Sequence, residues 1–279
     1  MVCTSARPRR VTFDSNVWER VVFPHRHPKD PNYICLRTIK EALRDGRLQS
    51  FICEVFATLE AISRGTRPTY FGNIKPKVDL QTETHGKGIC LNITIGTPHN
   101  RHPGLNKKLE EKMHEARAVG MRLLSAPRLN LPLPACFLDD PTLYDPQVFG
   151  SAEYAERFGD AAAAIEARGV GGGAIAAIVK RIKERLPANT QGSRLGSQLL
   201  QYAKDEAEKI EIEKAIAEWA DGDLVASHIA SENDLLCTED QAKTAGGPSV
   251  FNATNRAWLR TTYGIEFVTV PELAVLLGK

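Results

Sequence analysis

Short apolar runs alternate with amphipathic helical stretches near both ends of this chain, and this alternation limits the possible folds. The run Arg10 to Phe13 is β-branched and apolar, and it stops at Asp14 before a turn and a helix. Leu48 to Cys53 and Asp234 to Cys237 also read as short buried strands. Strands separated by helices pair mainly in parallel, with helices on both faces. The sequence therefore predicts an α/β fold, a three-layer α/β/α sandwich with a mainly parallel central sheet.

The other predicted elements are mostly helical. In the middle of the chain, Ile89, Leu91, Ile93 and Ile95 alternate with smaller or polar residues, a period-2 pattern that predicts a β-hairpin with one wet face. The hairpin strands are Lys77 to Glu83 and Gly88 to Gly96. Helices are predicted over Leu36 to Arg44, Glu54 to Ser63, Leu105 to Val119, Ala152 to Arg168, Gly173 to Leu186, Ser193 to Ala220, from Asp223 onward, Val250 to Tyr263 and Pro271 to Leu277, with a last strand over Ile265 to Thr269.

Charge is divided unevenly along the chain, although the net charge is only +2. Residues 61–135 contain 12 Lys or Arg against 5 Asp or Glu. Such a basic segment on an acidic body suits a polyanion, because neutralised phosphates release their counterions; the alternative is a solvated surface with chance clustering. The candidate nucleic-acid contacts are Lys75, Lys77, Lys87, Arg101, Lys107 and Lys108.

Composition indicates the compartment. The 279 residues include no apolar run long enough for a membrane span or a signal peptide, so we expect a cytoplasmic protein with no membrane association. The six cysteines contain no CxxC pair, and reduced thiols are therefore expected rather than a zinc knuckle.

Acidic residues stand where predicted strands end or helices adjoin them: Asp14, Glu60, Asp223 and Asp240. Sites in parallel sheets form at the carboxyl ends of strands, so these acids should converge. Clustered carboxylates repel one another unless cations compensate, and Mg²⁺ and Mn²⁺ prefer oxygen ligands. A metal pair could activate water against a phosphodiester. Taken singly, each acid could instead be a helix cap, a turn residue or a solvated side chain.

Four stretches resemble a known family. They are VTFDSNVW near the start, CEVFATLEAI after the second predicted strand, DLVASHIASENDLLCTED, and the tail SVFNATNRAWLRTTYGIEFVTVPELAVLL. Together they are similar to the strand-to-Asp opening, the acidic helix, the Thr-x-Asp strand end and the close of PIN-domain nucleases. The resemblance covers about the first 63 residues and the last 60 to 85.

The resemblance implies a PIN-like three-layer fold and cleavage of RNA, sometimes single-stranded DNA, with Mg²⁺ or Mn²⁺. It implies that Asp14, Glu60, Asp223 and Asp240 are the metal-binding catalytic acids, that Asn16 and Thr238 accompany them, and that Glu54 competes with Glu60 for the second position.

The departure from the family is the long middle of the chain. We predict a PIN-like catalytic domain from residues 1–63 and 191–279, a basic insertion with the hairpin at 64–145, and a helical part at 146–190 packing on the catalytic domain. The leading hypothesis is a metal-dependent endoribonuclease. The main alternative is a catalytically silent PIN-like protein that binds nucleic acid or protein, and a homodimer or a regulatory protein partner is left open. A small-molecule phosphatase is disfavoured because Asn16, not Asp, stands two residues after Asp14.

Overall fold

A computed structural model of the chain describes residues 8–60, 77–85, 88–96, 107–127, 140–187, 200–242 and 249–278; at 59–60, 77–85 and 88–96 it describes the backbone only. The prediction of an α/β fold with a parallel sheet is confirmed. The strands are β1 Arg9–Phe13, β2 Leu48–Cys53, β3 Lys77–His85, β4 Gly88–Gly96, β5 Met121–Leu124, β6 Leu235–Cys237 and β7 Glu266–Val268. The helices are α1 Ser15–Val22, α2 Tyr33–Arg44, α3 Lys107–Ala118, α4 Ala152–Ala167, α5 Gly172–Arg185, α6 Glu206–Ala230, α7 Ala253–Tyr263 and α8 Val270–Leu277.

The central sheet has five parallel strands in the order β5-β2-β1-β6-β7. The chain builds from β1 outward through β2 to β5, and then returns to the other side of β1 with β6 and β7. Phe13, the last residue of β1, is level with Cys237, the last residue of β6. Connections leave these two neighbouring strands in opposite directions, which opens a crevice at their carboxyl ends.

Two apolar clusters cover opposite faces of the sheet, because successive strand side chains point to opposite sides. Phe13 and Cys237 belong to the cluster that includes α1, α2 and α8. Leu236 and Phe267 belong to the other cluster, which includes residues of α4, α5, α6 and α7. The sheet therefore has helices on both faces, and the side chains at its carboxyl edge lie between two helical layers.

The predicted hairpin is present in the backbone. Strands β3 and β4 pair antiparallel, with Lys77 opposite Gly96 and His85 opposite Gly88. They form a two-stranded sheet of their own, separate from the central one.

Strand β5 was missing from the sequence prediction. Met121 to Leu124 pairs with the second half of β2, with Met121 opposite Ser50 and Leu124 opposite Cys53. This strand lies inside the segment 64–145 that we predicted to be an insertion, so part of that segment belongs to the central sheet. The division into three parts stays a prediction.

Helix α6 corrects another expectation. The sequence predicted one helix ending at Ala220 and a second one opening at Asp223, whereas one 25-residue helix runs through both positions. Gly222 remains helical and lies against Gly171, the residue before α5; a Cβ atom at Gly222 would stand 2.7 Å from the Gly171 Cα. The glycine permits close approach of two backbones rather than a helix break.

Smaller shifts concern element ends. Helix α2 begins at Tyr33, three residues before the predicted start, and α7 begins at Ala253 after the side chain of Asn252 caps it. Within the described ranges, no single helix is long and apolar enough to cross a membrane. Helices α4 and α5, bent by 59° at their junction, meet the length and composition criteria only when taken together.

Candidate active site

Asp14 follows β1 directly at the carboxyl edge of the sheet. Its backbone N–H donates to the Cys237 carbonyl at 3.0 Å, which extends the pairing of β1 with β6 by one step. Asp14 occupies the N-cap position of α1, yet its side chain makes no capping hydrogen bond to the helix. The carboxylate is buried, with 2% of the residue exposed. The simple reading of Asp14 as a helix cap therefore does not account for its side chain.

Three neighbouring side chains donate hydrogen bonds to the Asp14 carboxylate. Thr238 Oγ1 donates to Oδ2 at 2.6 Å, and Asn16 Nδ2 donates to the same oxygen at 2.8 Å. Ser15 Oγ donates to Oδ1 at 3.3 Å. The predicted partners Asn16 and Thr238 thus hold one carboxylate oxygen, and this fixes the orientation of the side chain.

Asp240 is tied to the same group through Thr238. Its backbone N–H donates to Thr238 Oγ1 at 3.0 Å, so the hydroxyl group accepts from one aspartate and donates to the other. Asp240 Oδ1 accepts from the Ala242 N–H at 2.6 Å, which is the turn contact that the simpler reading of this acid expected. Arg256 donates to the Asp240 carbonyl oxygen. The segment after β6 is therefore held beside Asp14 by side-chain hydrogen bonds.

Burial raises the pKa of Asp14 above its ordinary value, and the negative charge of Asp240 raises it further, while the hydrogen bonds from Thr238 and Ser15 oppose the rise. Among the described residues, no lysine or arginine lies within ion-pair distance of the carboxylate. The pKa of Arg256 is lowered, mainly by its own burial, although the charges of Asp240 and Asp14 act against this. A charged Asp14 is consequently unfavourable unless another cation approaches it.

A small cleft opens beside Asp14. Phe13, Trp18 and Phe56 line it from the sheet and α1 side, and Ala220, Asp221 and Leu224 line it from α6. Its volume of about 10 Å³ gives space for about one water-sized species. An acidic residue of α6, Asp221, therefore lines the same cleft as Asp14.

That acid is Asp221, which the sequence reasoning passed over in favour of Asp223. Asp223 is fully buried in the middle of α6 and does not line the cleft; its carbonyl oxygen accepts a weak hydrogen bond from the Cys53 thiol at 3.9 Å. The two positions are 200° apart around a helix axis, so the two side chains leave α6 on different sides. The assignment of Asp223 as a metal ligand stays a prediction, and Asp221 is a further candidate.

Glu54 was the competitor for the second acidic position. Its carboxylate is buried and accepts from the Tyr144 hydroxyl at 2.6 Å, the Ala126 N–H at 2.7 Å and the Ser125 hydroxyl at 3.3 Å. Burial raises its pKa, and these bonds oppose the rise. Both oxygens are thus engaged in holding the segment after β5. The side chain of Glu60 lies outside the described residues, so its assignment stays a prediction.

The described acids at this edge offer carboxylate oxygens, the ligand type that Mg²⁺ and Mn²⁺ prefer. In the part of the chain whose side chains are described, no three His, Cys, Asp or Glu come together closely enough to hold a metal ion. Mg²⁺, however, is commonly bound through one or two carboxylates while it keeps several waters or takes phosphate oxygens. Asp14, with Asp221 across the cleft and Asp240 alongside, fits that sparse oxygen donor set.

Few of the predicted nucleic-acid contacts have described side chains. Lys107 and Lys108 begin α3 and are exposed. Further along the helix, Lys112 pairs with Glu19 at 2.5 Å, and Arg117 pairs with Asp140. The backbone of Lys77 lies in β3, and Lys75, Lys87 and Arg101 lie outside the described residues.

The chain matches no known family model, and searches of curated proteins and of solved structures found no significant match.

Proposed function

We propose that this protein is a metal-dependent endonuclease of the PIN type, which hydrolyses phosphodiester bonds of RNA, and of single-stranded DNA as a second substrate. One observation carries the proposal. Asp14 is a buried carboxylate at the carboxyl end of the central strand, it has no cationic side chain as partner among the described residues, and it lines a cleft. The five-stranded parallel sheet is consistent with the three-layer PIN-like fold that the sequence resembles.

The carboxylates supply the chemistry of the site. Asp14, with Asp221 or Asp240, would hold a divalent cation; Glu60 completes the set if its side chain turns toward the cleft. A cation held by these carboxylates would supply polarisation of the phosphodiester and a lower pKa for an attacking water. The neighbouring carboxylates of Asp14 and Asp240 repel each other, and a cation between them would offset this repulsion.

Thr238 and Asn16 position Asp14 rather than react. Both donate to the same oxygen, Oδ2, and the Ser15 hydroxyl donates to Oδ1 at 3.3 Å, so the orientation of the carboxylate is fixed. Catalytic groups must be held within a fraction of an ångström of their working geometry, and buried hydrogen bonds from neighbouring residues provide this.

A catalytically silent binding protein is the second candidate. It is favoured by the sparse donor set, since fewer than three of the described acids gather at one point. In that case nucleic acid would bind without metal-dependent cleavage.

The test is degradation of labelled RNA and single-stranded DNA with Mg²⁺, Mn²⁺ or EDTA, using the parent protein and the Asp14→Asn and Asp240→Asn variants. Asp160→Asn, at an exposed position on α4, is the matched control. We expect metal-dependent cleavage by the parent and the control, with at least about a hundredfold loss in both site variants. Equal activity in Asp14→Asn would reject the assignment, and binding without cleavage by the parent would favour the silent protein.

A further inference from the structure

A second cleft, of about 200 Å³, lies on the outer side of α2. Its lining is rich in cations and contains one acid. The residues are Pro24, His25, Tyr33, Arg37, Lys40, Glu41 and Arg44. We name it the α2 cleft. The basic segment predicted from the sequence begins only at residue 61, so this is a separate region of the chain.

Helical spacing arranges these groups in a row. Tyr33, Arg37, Lys40 and Arg44 follow one another at intervals of four, three and four residues, which places them on one face of α2. Arg37 and Arg44 are exposed, and Lys40 and Tyr33 are half-buried. With a rise of about 1.5 Å per residue, the three cations extend over about 10 Å of the helix axis.

The acids around this row are already engaged with other cations or only weakly with the row itself. Glu41 lies 3.6 Å from Arg37, and both side chains are more than half exposed, so this pair contributes little. The other nearby acids pair with cations outside the row: Asp30 with Arg20 at 2.7 Å, Asp45 with Arg47 at 3.5 Å and Glu115 with Arg26 at 3.6 Å. Of these three pairs, only the one with Asp30 is largely shielded from solvent.

Lys40 and Arg44 consequently have no ion-pair partner among the described residues. The Lys40 ammonium is fixed instead by donating to the Val22 carbonyl oxygen at 2.6 Å. Arg44 stands four residues later, a spacing at which like charges on a helix repel. Burial and the Arg44 charge lower the pKa of Lys40, while Glu115 opposes the change. A bound anion would relieve this repulsion.

Two further features favour nucleic acid over other polyanions. The rings of Tyr33 and His25 border the same cleft, and flat rings beside cations suit stacking of unpaired bases. The apolar face of α2, made by Leu36, Ile39 and Leu43, is buried in the core. It is therefore not available for insertion into a lipid surface, which an amphipathic membrane helix requires.

We propose that the α2 cleft binds the sugar–phosphate backbone of a single nucleic-acid strand, with Arg37, Lys40 and Arg44 contacting phosphates. This deepens the proposed function, on which it rests, by giving the nuclease a strand-binding surface on the first crossover of its sheet. Binding and cleavage are separable, so the two proposals can fail independently.

The test is fluorescence anisotropy with a labelled 20-nucleotide RNA and the DNA of the same sequence, in EDTA so that no cleavage occurs. The variant is Arg37→Gln with Arg44→Gln, which removes two cations and keeps good helix formers. The control is Lys180→Gln with Lys209→Gln, which removes two exposed cations on α5 and α6.

Each lost contact to a single strand should reduce the salt slope by about 0.7. Between 50 and 200 mM salt, the fold increase in Kd of the variant should therefore be about one seventh of the fold increase in Kd of the parent. The control should behave like the parent. A salt slope and Kd unchanged from the control would overturn the proposal, as would a parent that binds neither strand. If the Arg37→Gln, Arg44→Gln variant binds RNA like the parent but no longer binds phosphatidylserine vesicles that the parent binds, the cleft is a membrane-binding surface and the proposal is overturned. If the double variant unfolds, Arg44→Gln alone should lower the slope by about 0.7.

Discussion

The two ends of strand β1 each bury a charged residue, and they treat it differently. Near the start, Arg10 is 6% exposed and its guanidinium forms an ion pair with Asp145. Its Nε–H also donates a hydrogen bond to Asn233 Oδ1 at 2.8 Å. It also lies over the Phe51 ring, 4.4 Å from the centroid. After the end, Asp14 is equally buried but has only neutral hydrogen-bond donors among the described residues.

The difference lies in what compensates each buried charge. A buried charge is strongly destabilising unless an opposite charge and hydrogen bonds compensate it. Arg10 meets that requirement within the chain, because Asp145 supplies the opposite charge and Asn233 accepts a hydrogen bond. Asp14 has no opposite charge within ion-pair distance among the described residues, and under the proposed function a bound cation would supply one. Each prediction below alters one end while the other serves as the reference.

The largest effect is expected when the compensated end is broken. Asp145→Asn leaves the buried Arg10 charge without its counter-ion, which should lower the free energy of unfolding by about 3–5 kcal/mol. Urea denaturation measures it, with Asp160→Asn as the exposed control. A loss below about 1 kcal/mol would mean that Arg10 is compensated in another way.

Replacing the charge at the other end, Asp14→Asn, is expected to increase stability rather than lower it. Because the pKa of Asp14 is raised in the folded protein, the folded state binds its proton more tightly, and stability falls as pH rises from the ordinary value through the raised one. Asp14→Asn removes this contribution, so its stability relative to the parent should increase over that window, by about 1.4 kcal/mol for each unit of pKa rise. Urea unfolding between pH 3 and pH 8 without metal measures it; a pH-independent difference contradicts the account.

Thr238→Val should have an intermediate effect. The near-isosteric change removes the donor to Asp14 and the acceptor for the Asp240 N–H, which should cost about 1–3 kcal/mol of stability. Since that hydrogen bond favours the charged carboxylate, its loss should move the pH window of Asp14 to higher pH. Thr238→Ser, which keeps the hydroxyl group, is the matched control and should stay near the parent.

The smallest effect is expected from Gln147→Ala. The side-chain oxygen Oε1 of Gln147 accepts from the Arg10 guanidinium at 3.0 Å, but Gln147 is exposed, so water can replace this acceptor. The change should cost less than about 1 kcal/mol by urea denaturation. A loss comparable to that of Asp145→Asn would show that the Arg10 end depends on the whole loop rather than on one ion pair.

Local patterns were sufficient for much of this fold. Strands β1, β2 and β6 are short apolar runs with polar residues on both sides. This change from polar to apolar and back predicts a buried strand. The acids Asp14 and Asp240 stood at the ends of such runs, so their meeting at one sheet edge followed from parallel pairing. The contact through Thr238 was expected only from the family resemblance.

What failed depended on contacts between distant residues. Strand β5 has four residues, one of them Arg122, and follows a charged helix, so its periodicity was too short to notice; pairing with β2 makes it a strand. The sequence predicted separate helices on either side of Gly222, but α6 is continuous there, and Gly222 lies against Gly171. Asp221 on this continuous helix lines the cleft, and the assignment of Asp223 stays a prediction.

The central claim is that Asp14 belongs to a cation site, and isothermal titration with Mn²⁺ tests it without reference to any substrate. The parent and Asp160→Asn should bind Mn²⁺ with the same Kd, and Asp14→Asn should lose the binding. At a concentration of a hundred times Kd, Mn²⁺ should also stabilise the parent by about 2.7 kcal/mol. Equal Mn²⁺ binding by the parent and Asp14→Asn, or no binding by the parent, would contradict the account.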